Sequence, residues 1–140
     1  MTLRVAETGD IATCQKLRRV VFIEEQGVPE AEEVDGLDST ALHFLAEHGG
    51  LPIGCARVLV KGDIGKIGRV CVLQNGRGTG VGAALIAVCI ERLQKQKSVK
   101  RAVLGSQIHA ISFYEKLGFT PFGPVYDDAG IEHRDMELSL

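Results

Sequence analysis

Arg69-Val70-Cys71-Val72-Leu73-Gln74-Asn75-Gly76-Arg77-Gly78-Thr79-Gly80-Val81-Gly82-Ala83-Ala84-Leu85 is the stretch that decides how the rest of the chain is read. Apolar and β-branched residues up to Leu73 give way to polar residues and glycines, and Val81, Ala83, Ala84, Leu85 and Ile86 then resume with helical character. The order is strand, turn, helix. A glycine costs about 1 kcal/mol relative to alanine in regular structure, so glycine at 76, 78, 80 and 82 needs a physical reason. A backbone without Cβ atoms lets a ligand touch it, and a helix starting there offers unpaired N–H groups and the positive end of its dipole. The loop reads as an anion cradle, most naturally for phosphate, with Arg77 adding a cation. A P-loop needs a lysine after its glycines, and none follows here. A dinucleotide fingerprint needs Gly-x-Gly-x-x-Gly near the first strand of a βαβ unit, whereas these glycines alternate and lie mid-chain.

Arg77, Gly80 and Gly82 satisfy Arg/Gln-x-x-Gly-x-Gly/Ala after a strand of the form R-V-x-V, and F-Y-E-K-L-G-F occupies positions 113–119. On these two motifs the sequence resembles the GNAT N-acetyltransferase family, whose members bind the pyrophosphate of acetyl-CoA with such a loop. The stretches L-R-R-V-V-F-I-E-E-Q-G-V-P-E, E-E-V-D-G-L-D with Ala41-Leu42-His43, and V-Y-D-D-A-G-I-E-H-R-D-M-E-L resemble its ElaA-like or YjcF-like branch. The resemblance covers nearly the whole chain.

That resemblance implies an α/β (α+β) fold: a mixed, mostly antiparallel sheet of six to seven strands, flanked by about four helices, with a splayed strand pair holding acetyl-CoA. The strand through Val70, Cys71 and Val72 is expected to splay from the one at 102–104, so that the pantetheine amides pair with its free edge and an N–H near Val72 faces the thioester oxygen. The implied phosphate loop is Arg77, Gly78, Thr79, Gly80, Val81, Gly82 and Ala83. Gln107, Ala110 and Tyr114 match the spacing of the family's Asn-x-x-Ala-x-x-x-Tyr pattern, which implies CoA contacts for Gln107 and Tyr114 and makes Tyr114 the general acid for the departing thiolate. The implied activity is transfer of an acetyl group from acetyl-CoA to a primary amine of a small molecule or peptide, by direct attack in a ternary complex and without a metal. A catalytically silent acyl-CoA-binding module, or an acyltransferase using a longer acyl-CoA, is the alternative.

Many family members keep a glutamate just before the R-V-x-V core to take the amine's proton, and this chain has Gly68 there. The candidates for that task are then Glu33, Asp35 and His43. Carboxylates recur between Glu24 and Asp38 with no lysine or arginine among them, which reads either as a solvated acidic loop or as a rim that draws a cationic amine. Cys71 sits beside the expected thioester, but its flanking valines favour an inert buried thiol.

With 140 residues and 45% hydrophobic content, one domain over 1–140 is expected. A net charge of −2 gives no general attraction to nucleic acid. No stretch approaches a membrane span, and the N-terminus has neither a basic nor an apolar leader region. The expected protein is cytoplasmic, a monomer or homodimer, with acetyl-CoA and an amine acceptor as its partners and neither nucleic acid nor membrane among them. Cys14, Cys55, Cys71 and Cys89 form no C-x-x-C pair and read as buried reduced thiols, and the four histidines have no metal-ligand spacing.

Along the chain, 3–6 reads as a strand, and Asp10 caps a helix with Ile11, Cys14, Leu17, Val20 and Val21 inward, ending by Gly27-Val28-Pro29. Residues 42–47 and 53–60 read as an antiparallel hairpin. The helix over 80–96 should turn Val81, Ala84, Leu85, Val88 and Leu93 to the sheet, and 101–104 should follow as a strand. A tyrosine helix closed by Gly118 precedes strands at 119–122 and 131–138.

Overall fold

The computed structural model describes residues 2–140. Strand β1 (Leu3–Thr8) leads into helix α1 (Ile11–Arg18), which Asp10 caps by accepting from the Thr13 N–H at 3.2 Å. The chain then widens into a π-helical turn, Arg19–Glu25, before a single-turn helix α2 (Glu30–Glu33). Strands β2 (Leu42–His48), β3 (Leu51–Lys61) and β4 (Ile64–Val72) form a meander. Helix α3 (Val81–Gln94) crosses to β5 (Arg101–Gln107), helix α4 (Ile111–Lys116) follows, and β6 (Thr120–Asp128) pairs with β7 (Ile131–Ser139).

These strands make one seven-stranded sheet in the order β1-β2-β3-β4-β5-β7-β6, in which only β4 and β5 run parallel. The parallel pair follows from the α3 crossover, because the helix carries the chain from the end of β4 back to the side where β4 starts, so Arg101 pairs with Ile64. Both halves of the expected hairpin hold, with β3 starting earlier, at Leu51, and Gly49-Gly50 supplying the positive-φ turn.

The main core lies between the sheet and α3, where Phe44, Leu85, Ile86, Cys89, Leu93 and Met136 are fully buried. Each such apolar side chain contributes roughly 1.5–3 kcal/mol. The inward face of α3 differs from the sequence expectation: Ile86 and Cys89 are buried, whereas Ala84 and Val88 are only partly covered. Helix α3 packs across β1 to β4 of the twisted sheet, which widens its buried arc beyond one stripe. Gly65 in β4 is required by this packing, since a Cβ there would run into the Leu93 side chain.

On the other face a smaller cluster of Cys14, Leu17, Val21, Leu45, Cys55 and Cys71 seats α1. The buried face of α1 is completed by Arg18, not Val20, which is exposed. All four cysteines are free and buried. No helix among the described residues is long and apolar enough to cross a membrane.

Candidate active site

Strand β4 pairs with β5 only from Ile64 to Ile67 against Arg101 to Leu104. The expected splay is present but begins later than 102–104, and a bulge explains where. Opposite β3, Cys55 faces Cys71 while Arg57 faces Gly68, so β4 carries one extra residue in that interval. Arg69 sits at the bulge with φ +50°, a left-handed conformation costly for a residue with a Cβ. Its guanidinium is anchored on the Glu32 and Glu33 carbonyls at 3.3 and 3.2 Å and on Asp35 Oδ2 at 3.3 Å. The bulge turns β4 away from β5 and frees the Val70–Val72 edge.

Between the parted strands lies a cleft of about 330 Å³. Its floor is Gly68, Arg69, Val70, Gly105 and Gln107; one wall is Phe22, Gln26, Val28, Glu32 and Glu33; the other is Tyr126, Asp128, Ile131 and His133. Space is open around the Gly68 α-carbon, where a glutamate would otherwise project. Gly105 is needed for a different reason: the Tyr126 hydroxyl lies against its α-carbon, where no Cβ fits, and donates to Asp135 Oδ1 at 2.7 Å.

At the end of β4 the glycine loop runs into α3. Gly80 is the N-cap, at φ +86°, and supplies no side-chain hydrogen bond, so the first helical bond is from the Ala84 N–H to the Gly80 carbonyl at 3.0 Å. The N–H groups of Val81, Gly82 and Ala83 thus have no acceptor within the helix. Nothing lies within 4 Å of where a Cβ would stand on Gly78 or Gly80. Thr79 Oγ1 donates to the Gly76 carbonyl at 2.6 Å and closes the loop. This open, uncapped terminus fits a pyrophosphate. Arg77 is already engaged, with its terminal nitrogens on Glu25 at 2.6 and 2.7 Å and Nε on the Val72 carbonyl at 3.0 Å.

Tyr114 and Gln107 both line the cleft, on α4 and at the end of β5. Gln107 donates to Gln26 Oε1 at 3.2 Å and accepts from His109 at 2.8 Å, which ties the β5 end to the π-helical turn. The Tyr114 ring is set edge-on to Phe113 and Phe119, with centroids 5.0 and 6.1 Å away. Burial, with a smaller contribution from the Cys89 thiol, pushes the Tyr114 phenol up to about 12. Its proton is therefore retained at neutral pH. Cys71 directs its sulfur away from this chemistry, into the cluster beneath α1, with Sγ 3.5 Å from Cys55 Sγ.

Within the acidic segment Glu24, Glu25, Glu30 and Glu32 are exposed, whereas Glu33, Asp35 and Asp38 are held by arginines. Glu33 is buried, with both carboxylate oxygens on Arg18, at 2.6 and 3.2 Å. Asp38 takes two further bonds from Arg18, each 2.9 Å, and one from Arg57 at 3.1 Å. Asp35 accepts from Arg57 at 2.9 and 2.7 Å, and this pairing, outweighing partial burial, holds its carboxyl down at about 2. Three arginines from α1, β3 and β4 thus neutralise three carboxylates. Of the candidate bases only Glu33 reaches the cleft, and Arg18 occupies its oxygens. Asp35 does not line the cleft, and His43 lies buried on β2 with Nε2 donating to the Asp38 carbonyl at 2.8 Å. Sequence reasoning missed Arg18, Arg57 and Arg69 as their partners, because pairing across the fold leaves no local pattern.

An acetyltransferase (GNAT) domain family matches residues 12–140. The uncharacterized N-acetyltransferase YjcF of Bacillus subtilis (strain 168) is 35% identical over 121 residues, 86% of each chain. ElaA of Escherichia coli (strain K12) is 35% identical over 126 residues, 86% of this chain and 82% of that protein. The crystal structure of Escherichia coli ElaA superposes with a TM-score of 0.86 at 28% identity, over 97% of this chain and 99% of that one. A Bacillus subtilis acetyltransferase crystallised in complex with CoA has the same fold, with a TM-score of 0.75 at 18% identity over 99% of both chains. The splayed parallel pair, the glycine loop at the α3 terminus and the match along nearly all of the sequence lead to one conclusion: the chain belongs to the GNAT acetyltransferase family and is an acyltransferase.

Proposed function

We propose that the protein is an N-acetyltransferase that moves the acetyl group of acetyl-CoA to a primary amine of a small molecule or peptide by direct attack within a ternary complex. The observation that carries this reading is the uncapped α3 terminus, whose Gly82 lies against Val72 at the freed β4 edge, together with Tyr114 in the cleft between the parted strands. The fold neighbour crystallised with CoA supports acetyl-CoA as the cosubstrate.

Acetyl-CoA, when bound, supplies an acyl carbon activated as a thioester. The N–H groups of Val81, Gly82 and Ala83 would hold pyrophosphate, with Gly78 and Gly80 allowing close approach. The Val70–Val72 edge would bind the pantetheine amides as a neighbouring strand would, and a backbone N–H near Val72 would steady the carbonyl oxygen as it gains charge. Tyr114 keeps its proton at neutral pH and donates it to sulfur as the carbon–sulfur bond breaks. Glu33 and Asp35 act indirectly in this reading, by locking Arg18, Arg57 and Arg69 and so fixing the wall and the bulge.

Thiol release from acetyl-CoA, assayed over amines, polyamines, amino sugars and peptides, tests the proposal. Release that depends on one class of amine is expected. Binding of acetyl-CoA with no amine-dependent release across the panel would leave only an acyl-CoA-binding module.

A further inference from the structure

With Gly68 in place of a glutamate and the acidic segment tied to arginines, the proton of the acceptor amine needs a destination. His133 lines the cleft and lies on β7, paired in register with Gln107 of β5 and Tyr126 of β6. Its Nδ1 is 2.8 Å from the Ile131 carbonyl oxygen. A carbonyl can only accept, so Nδ1 carries the hydrogen and, in the neutral ring, the lone pair is on Nε2. The Tyr126 ring stacks on the imidazole at 5.9 Å and 24°, and Tyr126 is itself pinned by its bond to Asp135. Both the tautomer and the ring plane are thereby fixed.

Resting on the acetyltransferase reading above, we infer that His133 Nε2 is the general base that takes the acceptor's proton, in place of the carboxylate this chain lacks at Gly68. Charged groups reach the same cleft from every side: Glu32 and Glu33 of α2, Lys66 and Arg69 of β4, and Asp128 of β6. Glu33 is neutralised by Arg18, and Glu32 and Asp128 are placed to attract an ammonium. Carboxylates are far weaker bases than imidazole at neutral pH, so binding falls to them and proton removal to His133. In the step, the amine nitrogen forms a bond to the acyl carbon as the carbon–sulfur bond breaks. Before that attack the ammonium gives one proton to Nε2, which passes it to cleft water; during it Tyr114 protonates sulfur and the second nitrogen proton returns through cleft water to the Tyr114 oxygen, leaving amide, free thiol and one proton in solvent.

Two measurements test this. Nitrogen NMR of histidine-labelled protein should find a pyrrole-type Nδ1 and a pyridine-type Nε2 at His133; a protonated Nε2 in the neutral ring would overturn the assignment. Thiol release from acetyl-CoA is then followed with two probes, phenethylamine, which must lose a proton before attack, and O-benzylhydroxylamine, which is already neutral. His133→Gln should lower kcat with phenethylamine by about 10²–10³, lower it less than about tenfold with O-benzylhydroxylamine, and leave acetyl-CoA affinity within about twofold. Equal losses with both probes, or none, would overturn the inference while leaving the acetyltransferase reading intact. A wild-type protein that binds acetyl-CoA but releases thiol with neither probe would overturn both.

Discussion

Arg77 holds Glu25 through both terminal nitrogens, joining the glycine loop to the π-helical turn that walls the cleft. Both side chains are substantially exposed, so the pair is weak and screened. In the proposed complex a pyrophosphate would compete with Glu25 for the same guanidinium. Glu25→Gln is expected to tighten acetyl-CoA binding by about two- to fivefold at low salt, and Arg77→Gln to weaken it by about tenfold or more, the cost of a charge-assisted bond. Titration calorimetry at two ionic strengths checks both, and equal affinity in all three proteins would remove Arg77 from the binding site.

Arg18 is buried at the end of α1, whose other buried side chains are Cys14 and Leu17, and is bonded to Glu33 and Asp38. Its removal would strip the buried Glu33 carboxyl of both its hydrogen bonds and leave it only the Arg69 guanidinium, 3.9 Å away. Arg18→Ala is expected to cost roughly 3–5 kcal/mol in chemical denaturation. The double change Arg18→Met with Glu33→Leu should recover part of that loss, and a single mutant within about 1 kcal/mol of wild type would contradict the pairing.

Asp35 titrates at about 2 when folded, against about 3.9 for an unperturbed aspartate. A depressed folded value means that the stabilisation is present above the unfolded pKa and is lost as pH falls towards the folded one. The window is therefore about pH 4 down to pH 2, and solvent screening at this exposed carboxylate keeps the loss modest. Asp38 is also lowered, because bonds from Arg18, Gln15 and Arg57 outweigh its burial, and it extends the loss to lower pH. Asp35→Asn should be less stable at neutral pH and flatter across this window; an unchanged acid limb would place the sensitivity elsewhere.

The legible parts of the molecule were those whose chemistry is local. The alternating glycines mark the α3 terminus, and the Gln107, Ala110 and Tyr114 spacing together with Gly118 marks the tyrosine helix. The ion pairs of Glu33, Asp35 and Asp38 leave no local pattern in the sequence, because their partners Arg18, Arg57 and Arg69 stand on three other elements. The bulge was hidden because Arg69, unlike a glycine, gives no sign of a positive φ. Gly105 inside an apolar strand was an available signal of close approach, and it marks where Tyr126 crosses β5. His133 gave no comparable signal, since its role rests on a bond to Ile131 that only the folded β7 makes.

Tyr114→Phe keeps the ring and its packing against Phe113 and Phe119 and removes only the proton donor. Turnover on the best acceptor is expected to fall by about 10²–10⁴ with little change in acetyl-CoA affinity. Turnover within about twofold of wild type would return Tyr114 to a packing role.

Gly80 is the residue on which the central claim turns, because it caps α3 in the left-handed region and leaves the first N–H groups open. Aspartate tolerates that conformation better than most residues, and its carboxylate at the N-cap would take the same N–H groups that pyrophosphate needs. The direct measurement is calorimetric titration of acetyl-CoA into wild type and Gly80→Asp, with circular dichroism confirming that both are folded. Saturable one-to-one binding to wild type, lost in the folded mutant, is the result expected. Equal affinity in the two proteins, or no binding to wild type, would contradict the account.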